Sequence, residues 1–159
     1  MSDVRDRICV YCMLLGAFGA AWAEEIPEVR TYEIASAGTR QFEWDSETGP
    51  GWIKILVEAS NLGSDGVEVG EIFFPPGWEG KSHYHQLEIF YVIEGELEHI
   101  VNGESRVLEP GMIGMVRYPD EVVHKTHSRD GVRVLVIWPL GNEVKGLQGM
   151  TESPVERVR

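Results

Sequence analysis

Past residue 24 no stretch of this chain keeps a helical period. What recurs is a short β-branched or aromatic run, cut off after a few residues by Gly, Pro, Asn or Asp. Gly49-Pro50-Gly51, Asn61-Leu62-Gly63, Pro75-Pro76-Gly77, Asn102-Gly103, Pro110-Gly111 and Asp130-Gly131 all carry turn chemistry. Runs this short bury apolar surface as strands, so the spacing predicts an all-β chain. The predicted strands cover residues 29–34, 41–44, 52–59, 67–74, 87–93, 96–101, 106–108, 113–117, 122–126 and 132–138. Many closely spaced strands favour a closed barrel or a double-sheet jelly roll, which leave few free edges.

The organisation follows from the same pass. Residues 1–23 read as a signal peptide: Arg5 and Arg7, then an apolar run, then Ala21-Trp22-Ala23 at an Ala-x-Ala cleavage site. The run is shorter than the roughly 20 residues a membrane span needs. Residues 24–66 are expected to add strands that pack on a barrel core over 67–140, with 141–159 as a tail that packs loosely or wraps the outside. Cleavage would remove Cys9 and Cys12, the two cysteines of the chain, so no disulfide is expected in a periplasmic or secreted product. A formal net charge of −12 disfavours nucleic acid and anionic membrane as partners.

The chemistry concentrates in residues 77–95, Gly-Trp-Glu-Gly-Lys-Ser-His-Tyr-His-Gln-Leu-Glu-Ile-Phe-Tyr-Val-Ile-Glu-Gly. On an extended segment His83 and His85 leave the same face, as a shared metal requires. Glu88 shares its strand face with Phe90 and Val92, and a carboxylate on an apolar face is costly unless a cation or donors meet it. The alternation also leaves Ile89, Tyr91 and Ile93 on the opposite face, in need of cover from another layer or a second subunit, so a homodimer is expected.

Further along, His124 and His127 are three apart and therefore fall on opposite faces of a regular strand. Lys125 shares the face of His127, and a lysine beside a bound cation would meet both desolvation and repulsion, so His124 is the one expected inside. If Glu94-Gly95 is a two-residue hairpin loop, Phe90 lies opposite His99 and His99 also faces inward, roughly 7–8 Å from its diagonal neighbour Glu88.

The stretch Gly77-x5-His83-x-His85-x2-Glu88-x6-Gly95 resembles the first motif of the cupin superfamily, and Pro119-x-Glu121-x2-His124 resembles part of the second. The gap between His85 and Glu88 is two residues, where the family usually has three or four. The resemblance implies a cupin-type double-stranded β-helix, or jelly-roll barrel, in one domain. It further implies one divalent transition metal held by His83, His85, Glu88 and His124. Fe2+ or Mn2+ is favoured, with Zn2+, Ni2+ or Cu2+ also open.

Fold does not select a reaction here. The expected activity is that of a metal-dependent enzyme on a small organic molecule, a dioxygenase first. A redox-neutral lyase or isomerase is the alternative, and it needs a proton-transfer group, for which His99 and Tyr91 are the candidates. A non-catalytic small-ligand-binding or metal-sensing module is the third reading.

Overall fold

The computed structural model describes residues 38–62, 66–147 and 150–154. The signal-peptide segment and the predicted strand at 29–34 lie outside the described residues. Those described form eleven β-strands and one 3-10 turn. The strands are β1 (Arg40–Trp44), β2 (Gly51–Val57), β3 (Glu68–Phe74), β4 (His83–Tyr84), β5 (Leu87–Glu94) and β6 (Leu97–Val101). They continue as β7 (Glu104–Leu108), β8 (Ile113–Arg117), β9 (Glu121–Thr126), β10 (Val132–Trp138) and β11 (Thr151–Pro154).

Two antiparallel sheets result. The larger runs β11-β1-β2-β3-β10-β5-β8 and the smaller β4-β9-β6-β7. Their arrangement is that of a jelly-roll sandwich, as the turn spacing predicts. The interior is built by strict alternation. On β10, Val132, Val134, Val136 and Trp138 are buried while the residues between them are only partly covered. On β5 the same rule buries Glu88, Phe90 and Val92. Phe42, Ile53, Ile55, Ile72, Phe74, Leu97 and Val116 complete the apolar filling. Each such side chain withdrawn from water stabilises the fold by about 2 kcal/mol, before conformational entropy is charged against it.

One predicted pairing is wrong. β5 does not form a hairpin with β6: its neighbours are β10 and β8, whereas β6 lies between β9 and β7 in the other sheet. Gly95, at φ 78°, turns the chain from one sheet into the other. A Cβ there would stand 2.3 Å from the carbonyl oxygen of Gly131, so the crossing has no room for a side chain. Phe90 and His99 do approach, with ring centroids 5.9 Å apart, but they face each other between the sheets instead of being strand partners.

Part of the tail is packed closely. Val144 is buried in the core, its N–H donating to Glu68 at 2.9 Å, and β11 pairs with β1 at the edge of the larger sheet. The 3-10 turn Val144–Leu147 packs on the core through Val144 and Leu147, with Glu143 just ahead of it.

Candidate metal centre

β9 is the strand on which the site is laid out. It lies between β4 and β6, with His83 opposite Val122 on one side and His124 opposite His99 on the other. The loop ahead of β4 is tied to the same strand: Gly80 N–H donates to the His124 carbonyl and Thr126 N–H to the Trp78 carbonyl, both at 2.9 Å. With β4 so placed, Tyr84 turns to solvent and His83 and His85 turn inward, as period two demands.

His83, His85 and His124 each offer a ligand atom, and these atoms lie within 4.8 Å of one another. Glu88 enters the same space from β5. Its Oε2 is 3.2 Å from His85 Nε2 and 3.4 Å from His124 Nε2. The two-residue connection between His85 and Glu88 therefore still brings their side chains into contact. His127, one residue past the end of β9, is half-exposed on the outer side, 3.8 Å from Glu96.

The remaining polar atoms of His83, His85 and Glu88 are tied down in a consistent way. His83 Nδ1 is 2.8 Å from the Lys81 carbonyl, which can only accept, so Nδ1 carries the proton and Nε2 keeps its lone pair. His85 Nδ1 donates likewise to Glu143 at 3.1 Å. The Trp138 indole N–H donates to Glu88 Oε1 at 2.8 Å, leaving Oε2 free. A carboxylate or carbonyl behind a histidine is the usual way a metal-binding ring is held in one tautomer and orientation.

What is left over forms a set. His85 Nε2, Glu88 Oε2 and His124 Nε2 are buried and without an aligned hydrogen bond. Unpaired polar atoms in a core are costly, and several converging on one point fit a divalent cation of the borderline class.

The electrostatics agree. Burial works against the charged form of Glu88, but His124, His85 and the Trp138 N–H outweigh it and hold the carboxyl below its ordinary range. His85 is likewise opposed by burial, yet the hydrogen bond it donates to Glu143 and the Glu88 charge raise it above its usual value. His83 is lowered, chiefly by burial.

The two proton-transfer candidates stand elsewhere. His99 is buried at 4% exposure, stacked on His124 with centroids 5.2 Å apart and planes 9° apart. It does not line the cavity in front of the metal group but sits behind the His124 ring. Burial, with the His124 charge, lowers it to about 4. β8 makes room for this ring with Gly114, where a Cβ would come 2.8 Å from His99 Nδ1. Tyr91 is corrected outright. The alternation that buries Phe90 and Val92 sends Tyr91 to the outer face, 41% exposed, so it cannot reach the site.

The cavity in front of the histidines measures about 770 Å3, within the range of small-molecule sites. Phe74, Trp78 and Trp138 line it as well as packing on the core. Sequence reasoning missed Trp44 and Glu143 as site residues. Trp44 is carried in by β1, and Glu143 lies in the tail, where no period or motif marks a carboxylate as the partner of a distant histidine.

A cupin-domain family model matches residues 70–138. Several solved structures share the fold. KdgF from a Halomonas species is 22% identical with a TM-score of 0.52, over 64% of this chain and 89% of that one. An RmlC-like cupin from Shewanella frigidimarina is 22% identical with a TM-score of 0.53, over 65% and 86%. A predicted oxalate decarboxylase from Thermotoga maritima is 16% identical with a TM-score of 0.57, over 70% of this chain and all of that one (100%). No curated protein shows significant similarity to the chain. The matched model covers the strands that carry His83, His85, Glu88 and His124, so residues 70–138 form a cupin domain.

Proposed function

We propose that this protein is a small exported metal-dependent enzyme acting on a small organic molecule, with oxygenation as its reaction class. The observation that carries the proposal is the convergence of His85 Nε2, Glu88 Oε2 and His124 Nε2, buried and without aligned partners, beside His83. When bound, Fe2+ or Mn2+ would supply a redox-active Lewis acid.

The chain's own residues do the rest. Lys81 and Glu143 hold the protons of His83 and His85 on Nδ1 and so turn Nε2 inward. Trp138 fixes one oxygen of Glu88. The aromatic lining gives the reacting space an apolar wall.

Oxygenation is favoured over a lyase or isomerase because a redox-neutral reaction needs a free proton-transfer group at the substrate. His99 lies behind His124, Tyr91 faces outward, Glu143 is engaged by His85, and the other two titratable side chains of the lining outside the metal group, Lys81 and Tyr84, stand exposed at the rim. The test is an oxygen electrode: Fe2+-loaded protein turning over a small organic substrate should consume O2 in step with substrate. Turnover without oxygen uptake would overturn this choice.

The proposal extends to assembly and location. On the outer face Tyr91 neighbours Ile113 and Leu135, and Ile89 neighbours Met115 and Ile137, forming one apolar surface next to β8, an edge strand among the described residues. A second copy related by a two-fold axis would cover it, since such an axis pairs the same patch with itself. Sedimentation should give twice the chain mass, and Ile113→Lys should return the monomer. Export is tested by N-terminal sequencing, with Glu24 as the expected first residue.

A further inference from the structure

The cavity wall is chemically divided. Its polar side chains are the metal group with Glu143, and Lys81 and Tyr84 towards the rim, where Tyr84 is 58% exposed. The part supplied by β1, β2, β3 and the turn that follows is apolar: Trp44, Ile53, Ile72, Phe74 and Trp78, joined by Leu147 of the 3-10 turn. The three aromatic rings are continuous. Phe74 and Trp78 stack at 4.5 Å and 20°, and Trp44 leans on both at 6.1 and 5.8 Å. Phe74 in turn reaches His124, with centroids 6.1 Å apart and planes 20° apart. An aromatic surface thus begins within one ring of the ligating imidazole.

Such a wall discriminates. A sugar, polyol or dicarboxylate carries polar groups along its whole length, and each one left unpaired against this surface costs roughly 1–3 kcal/mol. The only polar atoms of the six apolar side chains are the two indole N–H groups, and that of Trp44 is buried with no partner. A molecule with an apolar ring and a single oxygen-donor end meets both halves of the lining. The ring packs on Trp78, Phe74 and Trp44. The oxygen end meets the metal group.

We infer that the pocket takes a small, predominantly apolar, ring-bearing molecule that presents an oxygen-donor group to the histidine cluster, and not a carbohydrate or a short polar acid. This rests on the reading of His83, His85, Glu88 and His124 as a metal site.

Two hydroxamates isolate the claim, because they offer a metal the same pair of oxygens and differ only in a phenyl or a methyl group. Co2+ is first titrated into metal-free protein, and the visible spectrum of the loaded protein is then followed on adding benzohydroxamate or acetohydroxamate. Relative to free Co2+, benzohydroxamate should bind more tightly by roughly tenfold or more, the scale expected for burying a phenyl in place of a methyl. Trp78→Ala should erase most of that preference while leaving acetohydroxamate binding and Co2+ stoichiometry unchanged. Equal affinity of the two probes in the wild-type protein would overturn the inference and leave the metal reading standing. A preference that survives in both Trp78→Ala and Trp44→Ala would overturn it as well. Failure to bind Co2+ at all would remove the metal reading and this inference with it.

Discussion

His124 and His127 differ by three positions, and the structure gives them opposite surroundings. His124 is 3% exposed and ringed by Phe90, Phe74, His83 and His99, while His127 is half-exposed beside Glu96. The account therefore predicts that His124→Ala loses most of the bound metal and His127→Ala keeps it. Metal-to-protein ratios of the two variants, with circular dichroism to show both are folded, decide this; the reverse pattern would remove His124 from the ligand set.

His99 gives a second prediction at this scale. Its folded value of about 4 lies below the ordinary 6.5, so the folded protein resists a proton that the unfolded chain accepts. A depressed histidine contributes stability that is present above 6.5 and is lost as pH falls towards 4, here on the order of 3 kcal/mol. Urea denaturation of metal-free protein at pH 7 and pH 4.5 should show the loss. His99→Gln, which cannot titrate, should show a smaller one.

These orientations were legible because strand period is strict. A charged Lys125 marks the outer face of β9, and the rings one residue before it and two after it are sorted by parity alone. Glu143 was not legible, since its role is defined by His85, a residue far away in the sequence.

At the scale of elements, most strands announce themselves by β-branched runs between turn residues, and the described boundaries fall within two residues of those read from sequence. β4 did not, because two residues carry no period; it is a strand only because β9 lies beside it. β11 pairs through its backbone with β1, which the polar tail sequence does not signal.

The Glu94-Gly95-Glu96 turn is the instructive failure. Turn chemistry there is the same whether the chain folds back on itself or crosses to another sheet, and the choice is made by the distant partners β10, β8 and β9. Gly95→Ala tests the crossing. With φ at 78° and a backbone oxygen 2.3 Å from the new Cβ, the variant should lose roughly 2 kcal/mol or more in chemical denaturation. A change within a few tenths would contradict the geometry.

For the molecule as a whole, the fold class follows from the turns, and the clustering of three histidines and one glutamate from strand parity and the motifs they resemble. The pocket does not follow from either. Its walls come from β1, β2, β3, β4 with its flanking loops, β5, β9, β10 and the segment after β10, so which side chains face the ligand is settled only when both sheets and the tail are assembled. Trp44 shows this well: in sequence it ends an unremarkable strand, and in the fold it completes an aromatic wall.

Everything proposed about chemistry and ligand depends on one ion being held by His83, His85, Glu88 and His124. The most direct measurement is elemental analysis of metal-free protein incubated with Fe2+, Mn2+ or Co2+ and desalted, beside a His83→Ala/His85→Ala variant treated alike. The account predicts about one ion per chain in the wild-type protein and almost none in the variant. A wild-type protein that retains no metal, or a variant that retains as much, would contradict it.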